Sequence, residues 1–260
     1  MLRYEESAPI VITAATGRQE VVAIMKVVSL KPATNDNGSA HAQVYEALSE
    51  DLIQGQIPPL KPLSLRGLAQ RYGVSPMPVR EAVRRLIAEK ALELQTENKR
   101  LRVPHLSEHR LTQLAMARCW VEPELAAMAA KRLTRDDIKR LRDDDATVMR
   151  ALKSGDVSAY MQANHDFHFT IYRAADADLL CGMARSLWLQ SGPFMRVVFG
   201  RLGTVQLPKD HHQDMISAFE TGNADAARAS MREDIREGMN LMMDAIGDQD
   251  LPQPKRRGRG

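Results

Sequence analysis

Four polar side chains stand where the surrounding sequence is otherwise apolar. Asn164 and His168 lie four residues apart within the stripe Val157, Tyr160, Met161, Phe167 and Ile171. A helix carries residues four apart on one face, so both point the same way as the apolar ones. His212 shares a stripe with Met215 and Phe219, and Asp234 shares one with Ala227, Met231, Ile235 and Leu241. One amide, two imidazoles and one carboxylate on three inward faces can converge on a divalent metal. Imidazoles suit Zn, Ni, Fe or Mn, and the carboxylate balances part of the charge. The alternative is a set of buried polar residues satisfied by hydrogen bonds, the usual state of a core histidine.

Catalysis needs more than ligands. His165-Asp-Phe-His168 looks superficially like a metallohydrolase motif, but the glutamate base of a His-Glu-x-x-His arrangement is missing. At helical spacing His165 and Asp166 face away from the Asn164/His168 stripe. The chain holds no Gly-x-Ser-x-Gly elbow and no Rossmann glycine signature. The residues therefore predict a protein that is not an enzyme, with no catalytic residues. A helical-bundle metalloenzyme with an accessory nucleic-acid-binding domain is the alternative.

A second group of residues carries a different chemistry. Between residues 61 and 105 ten Lys and Arg stand against four Asp and Glu, although the net charge of all 260 residues is only +3. Residues 106–253 are mildly acidic, and the tail ends in Lys255, Arg256, Arg257 and Arg259. A compact basic segment joined to a larger acidic one suggests a polyanion-binding module attached to something else. Its grammar is specific. Ser64 caps a short helix from Leu65 to Tyr72, and Gly73 permits a tight turn. Ser75 then caps a second helix with Pro76 at its first position, where a missing N–H costs nothing. Ala69, Gly73 and Val79 fall where a helix-turn-helix needs a small contact, a turn glycine and an inward β-branched residue. Arg80 and Arg84 share the outer face. Two short runs, Leu92–Gln95 and Leu101–Val103, flank a polar tip and predict a wing.

The elements around these groups are helical. A stripe through Val44, Leu48 and Ile53 predicts a helix from 42 to 54, before the basic segment. After Pro104, Ser107 caps a stripe through Leu111, Leu114, Val121, Leu125 and Met128, in which Pro123 should kink or restart the helix. Thr134-Arg-Asp-Asp137 resembles a capping box opening a helix through Leu141, Val148 and Leu152. Further helices are expected over 157–171 and 179–189, with a short piece after Gly192-Pro193, a loop over 200–208, and helices through His212 and Asp234. The fold expected is mainly α: a winged helix-turn-helix domain over 41–105, then an all-α antiparallel bundle over 106–247. Residues 1–40 read as a flexible extension and 248–260 as a basic flexible tail. No stretch approaches ~18 uncharged apolar residues. Two cysteines supply no disulfide framework. A cytoplasmic protein without a membrane segment is expected.

The segment Leu65–Val103 resembles the winged helix of GntR-type bacterial transcription regulators, through Leu68-Ala69, Gly73-Val-Ser75 and Pro78-Val-Arg-Glu-Ala82. Residues 107–246 are similar to the FCD ligand-binding domain of the FadR subfamily, through Arg118-x-x-x-Glu122, Phe167-His168 and the run from His212 to Gly222-Asn-Ala-Asp-Ala-Ala227. The resemblance implies a homodimeric regulator of transcription bound to a double-stranded, pseudo-palindromic operator. Arg66, Ser75, Met77 and Arg80, with Arg84 and the wing residues Lys99 and Arg100, would meet DNA. Pro76 and Met77 depart from the usual Arg and Thr. The FCD metal site of one Asp and three His maps onto Asn164, His168, His212 and Asp234, so Asn has replaced the Asp and Asp the last His. A divalent metal (Zn, Ni or Mn) and a small organic acid effector are implied, the acid held by Arg118, His168 and His212. Alternatively, Arg118 pairs with Glu122 one turn away.

Overall fold

The computed structural model describes residues 10–12, 23–25, 40–95, 100–202 and 210–247. Two compact units divide the chain: residues 1–49 with 62–102, and residues 50–61 with 103–260.

Helix α1 (Ala40–Ile53) begins two residues earlier than its stripe predicts; its first ten residues belong to the first unit, where it buries Val44, Tyr45 and Leu48, and its last four to the second. Helix α2 (Leu65–Tyr72) starts where the Ser64 side chain accepts from the Gly67 N–H. It ends at Gly73, whose φ of 64° is left-handed and whose N–H returns to Ala69 and Gln70. Helix α3 (Pro76–Ala88) follows at once. Ser75 occupies the cap position with extended backbone, but its side chain makes no capping bond, contrary to expectation. Pro76 and Pro78 leave the first turn with fewer N–H groups to satisfy. Ala69 and Val79 are buried against each other's helices as the turn requires. Strands β3 (Glu93–Leu94) and β4 (Leu101–Arg102) form the wing, shorter than expected, with Glu93 opposite Arg102 and an ion pair of 2.6 Å between them. Leu63 bridges to Leu101 and closes the wing on the unit.

Within the stretch read as a flexible extension, Ile10–Ile12 (β1) and Ala23–Met25 (β2) pair antiparallel. The rest of residues 1–39, the tip residues 96–99 and the basic tail lie outside the described residues.

The second unit is built of helices α4 (Glu108–Ala129), α5 (Arg135–Ser154), α6 (Val157–Ala174), α7 (Asp178–Leu202), α8 (His211–Glu220) and α9 (Ala224–Gly247). Helix α4 packs on α9, α7 and α6, while α5 packs on α6 and α8, and α8 on α9. The Thr134–Asp137 capping box is present. Two prolines expected to disturb a helix lie inside one, for one physical reason. Helix α4 continues through Pro123, and α7 continues through Gly192-Pro193 where a break was expected. A proline inside a helix removes one N–H bond to the carbonyl four residues back. Here each lies in a helix buried on both sides of it: Leu114, Val121, Leu125 and Ala126 in α4, and Trp188, Leu189, Phe194 and Val198 in α7. At ~1.5–3 kcal/mol per buried large apolar side chain, that packing outweighs one lost bond. Gly192 serves close approach. A Cβ there would sit 2.4 Å from the Ile53 carbonyl oxygen.

Candidate metal centre and nucleic-acid interface

Helices α6, α8 and α9 bring three of the four expected ligands together. One ligand atom from each of His168, His212 and Asp234 lies within 4.8 Å of the others. His168 Nε2 is 3.3 Å from one Asp234 oxygen, and His212 Nε2 is 3.6 Å from the other. Asn164 is buried one turn before His168 and lines the same cavity. That cavity has a volume of about 80 Å³. That is room for a metal ion and a few ligand atoms. Two imidazoles and a carboxylate are a donor set that fits a first-row dication with positions left open for an exogenous ligand.

The charged groups of the cluster act on one another. Burial opposes the charge of Asp234, yet His168, His212 and Arg118 overcome it and bring its carboxyl down to about 2. Burial lowers His168 despite Asp234. For His212 burial acts the same way, but Asp145 and Asp234 outweigh it and its pKa is raised. The ring of His212 is clamped by Phe167, stacked at 3.8 Å and 11°.

Two residues outside the expected ligand set complete the site. Asp145 on α5 is buried, with Oδ1 3.2 Å from His212 Nδ1 and Oδ2 accepting from Gln213. Within Asp143-Asp-Asp145 it reads as one of a solvated acidic run. Its spacing from Leu141, Val148 and Leu152 is the signal that turns it inward. Glu122 on α4 is fully buried and accepts from Arg118 Nε (2.6 Å) and Nη2 (3.0 Å), Tyr172 Oη (2.5 Å) and Trp188 Nε1 (3.3 Å). The Arg118–Glu122 pair is thus formed one turn apart. Among the described residues the remaining Arg118 nitrogen, Nη1, reaches only Met239 Sδ at 3.7 Å, and the guanidinium lies over Trp188. Arg118 also lines the cavity. His165 is buried on another side, against Phe169 and Trp188, and Asp166 accepts from Gln162.

On the first unit, α3 buries Val79, Ala82, Val83 and Leu86 and exposes Met77, Arg80 and Arg84. Arg66 and Ser75 are exposed nearby in the sequence, as is Arg100 at the wing; Lys99 lies outside the described residues. Among the described residues Arg66 and Arg80 carry no hydrogen bond or ion pair, whereas Arg84 meets Glu81 at 2.9 Å and Arg85 is committed to Tyr45 and Glu89. The Arg84–Glu81 pair is exposed on both sides, so it holds little energy and yields readily to a phosphate. A helix with one apolar face inside and exposed arginines outside is the form in which a helix-turn-helix enters the major groove.

A winged helix followed by a helical ligand-binding bundle defines a one-component transcription regulator. The profile described as bacterial regulatory proteins of the gntR family matches residues 40–98, and the FCD domain profile matches residues 113–237. The chain belongs to the GntR family, with an FCD domain, and is a DNA-binding transcription regulator rather than an enzyme. It is 24% identical over 202 residues to the HTH-type transcriptional regulator McbR of Escherichia coli (strain K12), covering 77% of this chain and 91% of that protein. It is 26% identical over 211 residues to the HTH-type transcriptional repressor GlaR of the same organism, covering 78% and 95%. The solved structure of E. coli McbR/YncC superposes with a TM-score of 0.73 at 24% identity, over 81% of this chain and all of that one, and has the same fold. Among the described residues no helix is long and apolar enough to cross a membrane.

Proposed function

We propose that this regulator works in the cytoplasm as a homodimer on a pseudo-palindromic operator, and that a small organic acid bound beside a divalent metal sets its affinity for DNA. The carrying observation is the cavity walled by His168, His212, Asp234 and Arg118. Those groups suit a cation and an anion, and apolar side chains such as Val148, Met195, Phe199 and Leu241 line the rest of the cavity. His168, His212 and Asp234 would hold the metal (Zn, Ni or Mn), with Asn164 alongside. A bound metal supplies a Lewis-acidic centre for a carboxylate. Arg118, through its Nη1, stands where it can donate to the acid's second oxygen.

On the DNA side, Arg66, Ser75, Met77, Arg80 and Arg84, with Lys99 and Arg100 of the wing, form the reading surface. A winged helix makes few contacts alone, and two linked copies supply the effective concentration that a palindrome needs. The similarity to GlaR, a transcriptional repressor, favours repression here. An effector regulates only by binding the two forms of the dimer differently, with a coupling of ~1–3 kcal/mol, or 5–150-fold in operator affinity.

The test is a thermal-shift screen of organic acids on the metal-loaded protein, followed by titration of each hit against the promoter fragment beside the gene. The expected result is an acid that shifts melting and changes operator affinity at least fivefold. An acid-independent operator affinity, with no acid raising the melting temperature, refutes the effector reading.

A further inference from the structure

The two histidines of the cluster are held from behind as well as in front. Each turns Nε2 towards Asp234, and each has a buried side-chain oxygen 3.2 Å from Nδ1. Behind His212 stands Asp145. Its Oδ1 is buried without a well-aligned hydrogen bond, and the ring nitrogen 3.2 Å away is the group positioned to give it a proton. Its other oxygen is taken by Gln213, so the carboxylate is fixed in place. Behind His168 stands Tyr172, whose oxygen is 3.2 Å from Nδ1. The single proton of Tyr172 goes to Glu122 at 2.5 Å. The phenol oxygen has only lone pairs left for His168. Glu122 is itself anchored by the bidentate Arg118 and by Trp188.

We propose that Asp145 and the Tyr172–Glu122 pair are positioning residues that lock His212 and His168 as the Nδ1–H tautomers, so that both Nε2 lone pairs converge on Asp234. A neutral imidazole carries its proton on one nitrogen only, and the hydrogen bond at the other end decides which. With both protons held at the back, the front of the cluster is two bare nitrogens and a carboxylate. Three electron-rich groups so close repel one another unless a cation sits among them. The locked tautomers therefore give the cluster its preference for a metal, and this rests on the metal reading above for its purpose though not for its geometry. Metal-ligating histidines are commonly oriented in this way by an acceptor at the far nitrogen, and loss of that partner weakens metal binding ~10–100-fold.

The experiment uses the full chain with 15N-labelled histidine, freed of metal by a chelator. Long-range 1H–15N correlation at a pH above the titration of both rings distinguishes the two tautomers directly. His168 and His212 are assigned by the His168→Ala and His212→Ala variants. The wild-type protein is expected to hold both rings as Nδ1–H. In Asp145→Asn the new amide can donate to His212 Nδ1, so His212 should switch to Nε2–H while His168 stays as it was. Competition with a chromophoric chelator should then find Zn2+ bound ~10–100-fold more weakly by Asp145→Asn than by wild type. A wild-type spectrum with either ring as Nε2–H overturns the proposal without need of a variant. An unchanged His212 tautomer in folded Asp145→Asn overturns the role of Asp145. Tautomers as expected in a wild-type protein that binds no Zn2+ uphold the lock and overturn the metal reading instead.

Discussion

Glu122→Gln is the substitution for which the structure gives the sharpest magnitude. The Arg118 and Glu122 side chains are only 5% and 0% exposed, and two hydrogen bonds join them. Burial works against the guanidinium charge, and Glu122 is what outweighs it and raises the pKa. Remove the carboxylate and the penalty of burial stands alone, while an arginine cannot shed its proton to escape it. Breaking one partner of a buried pair costs about 3–5 kcal/mol. The Arg142–Glu220 pair joins the same two chemical groups with side chains 48% and 44% exposed. Water solvates both of its ends, so Glu220→Gln should cost about 0.2–1 kcal/mol. Both tryptophans, Trp120 and Trp188, lie in the helical unit, so urea unfolding of the full chain followed by tryptophan fluorescence reports on that unit. With a slope of about 2 kcal/mol/M, Glu122→Gln should lower the midpoint by ~1.5–2.5 M. The double variant Arg118→Met/Glu122→Leu should recover most of the loss, because removing both charges removes the desolvation cost as well. If Glu122→Gln and Glu220→Gln move the midpoint equally, burial does not govern this pair and the reasoning fails.

Other substitutions probe the remaining elements. Arg80→Ala should weaken operator binding at least tenfold in a folded protein, since one guanine contact contributes about 1–3 kcal/mol, and fluorescence anisotropy at matched salt measures it. Gly192→Ala should cost about 1–3 kcal/mol in the same urea assay, because its Cβ meets the Ile53 carbonyl at 2.4 Å and backbone must move. Burial and then Asp166 hold the Asp144 carboxyl up at about 6, above its unfolded value of ~3.9. The folded state thus disfavours its ionised form, a cost present above pH 6 that disappears as pH falls towards 4. Asp144→Asn should therefore stabilise at pH 8, by about 1 kcal/mol given how much water still reaches the group, and gain nothing at pH 4. Metal at a hundred times its dissociation constant should add about 2.7 kcal/mol of stability that a chelator removes. Because Asp145 and Asp234 raise His212, protons should displace the metal, on lowering pH, earlier than an unperturbed imidazole would release it.

The local grammar of this chain was legible without coordinates. Ser64, Gly73, Ser107 and the Thr134–Asp137 box mark helix ends because their bonds reach only three or four residues. The inward set Asn164, His168, His212 and Asp234 could be named from spacing, since a helix fixes which residues share a face. What lies between elements could not. Pro123 and Gly192-Pro193 look like breaks because local propensity is all that a sequence window offers, whereas apolar burial from neighbouring helices decides whether a helix survives a lost bond. Asp145 sits in an acidic run and became part of the site only when α5 packed against α8. Whether Arg118 turns to Glu122 or to a ligand depends on Tyr172, Trp188 and Met239, which come from three other helices. Which nitrogen each histidine presents is likewise a property of the acids packed behind it: Asp145, 67 residues before His212, and Glu122, 46 residues before His168 and reached through Tyr172. Sequence fixes the periodicity of each helix; the distances that turn inward-facing residues into a binding centre exist only after the helices pack.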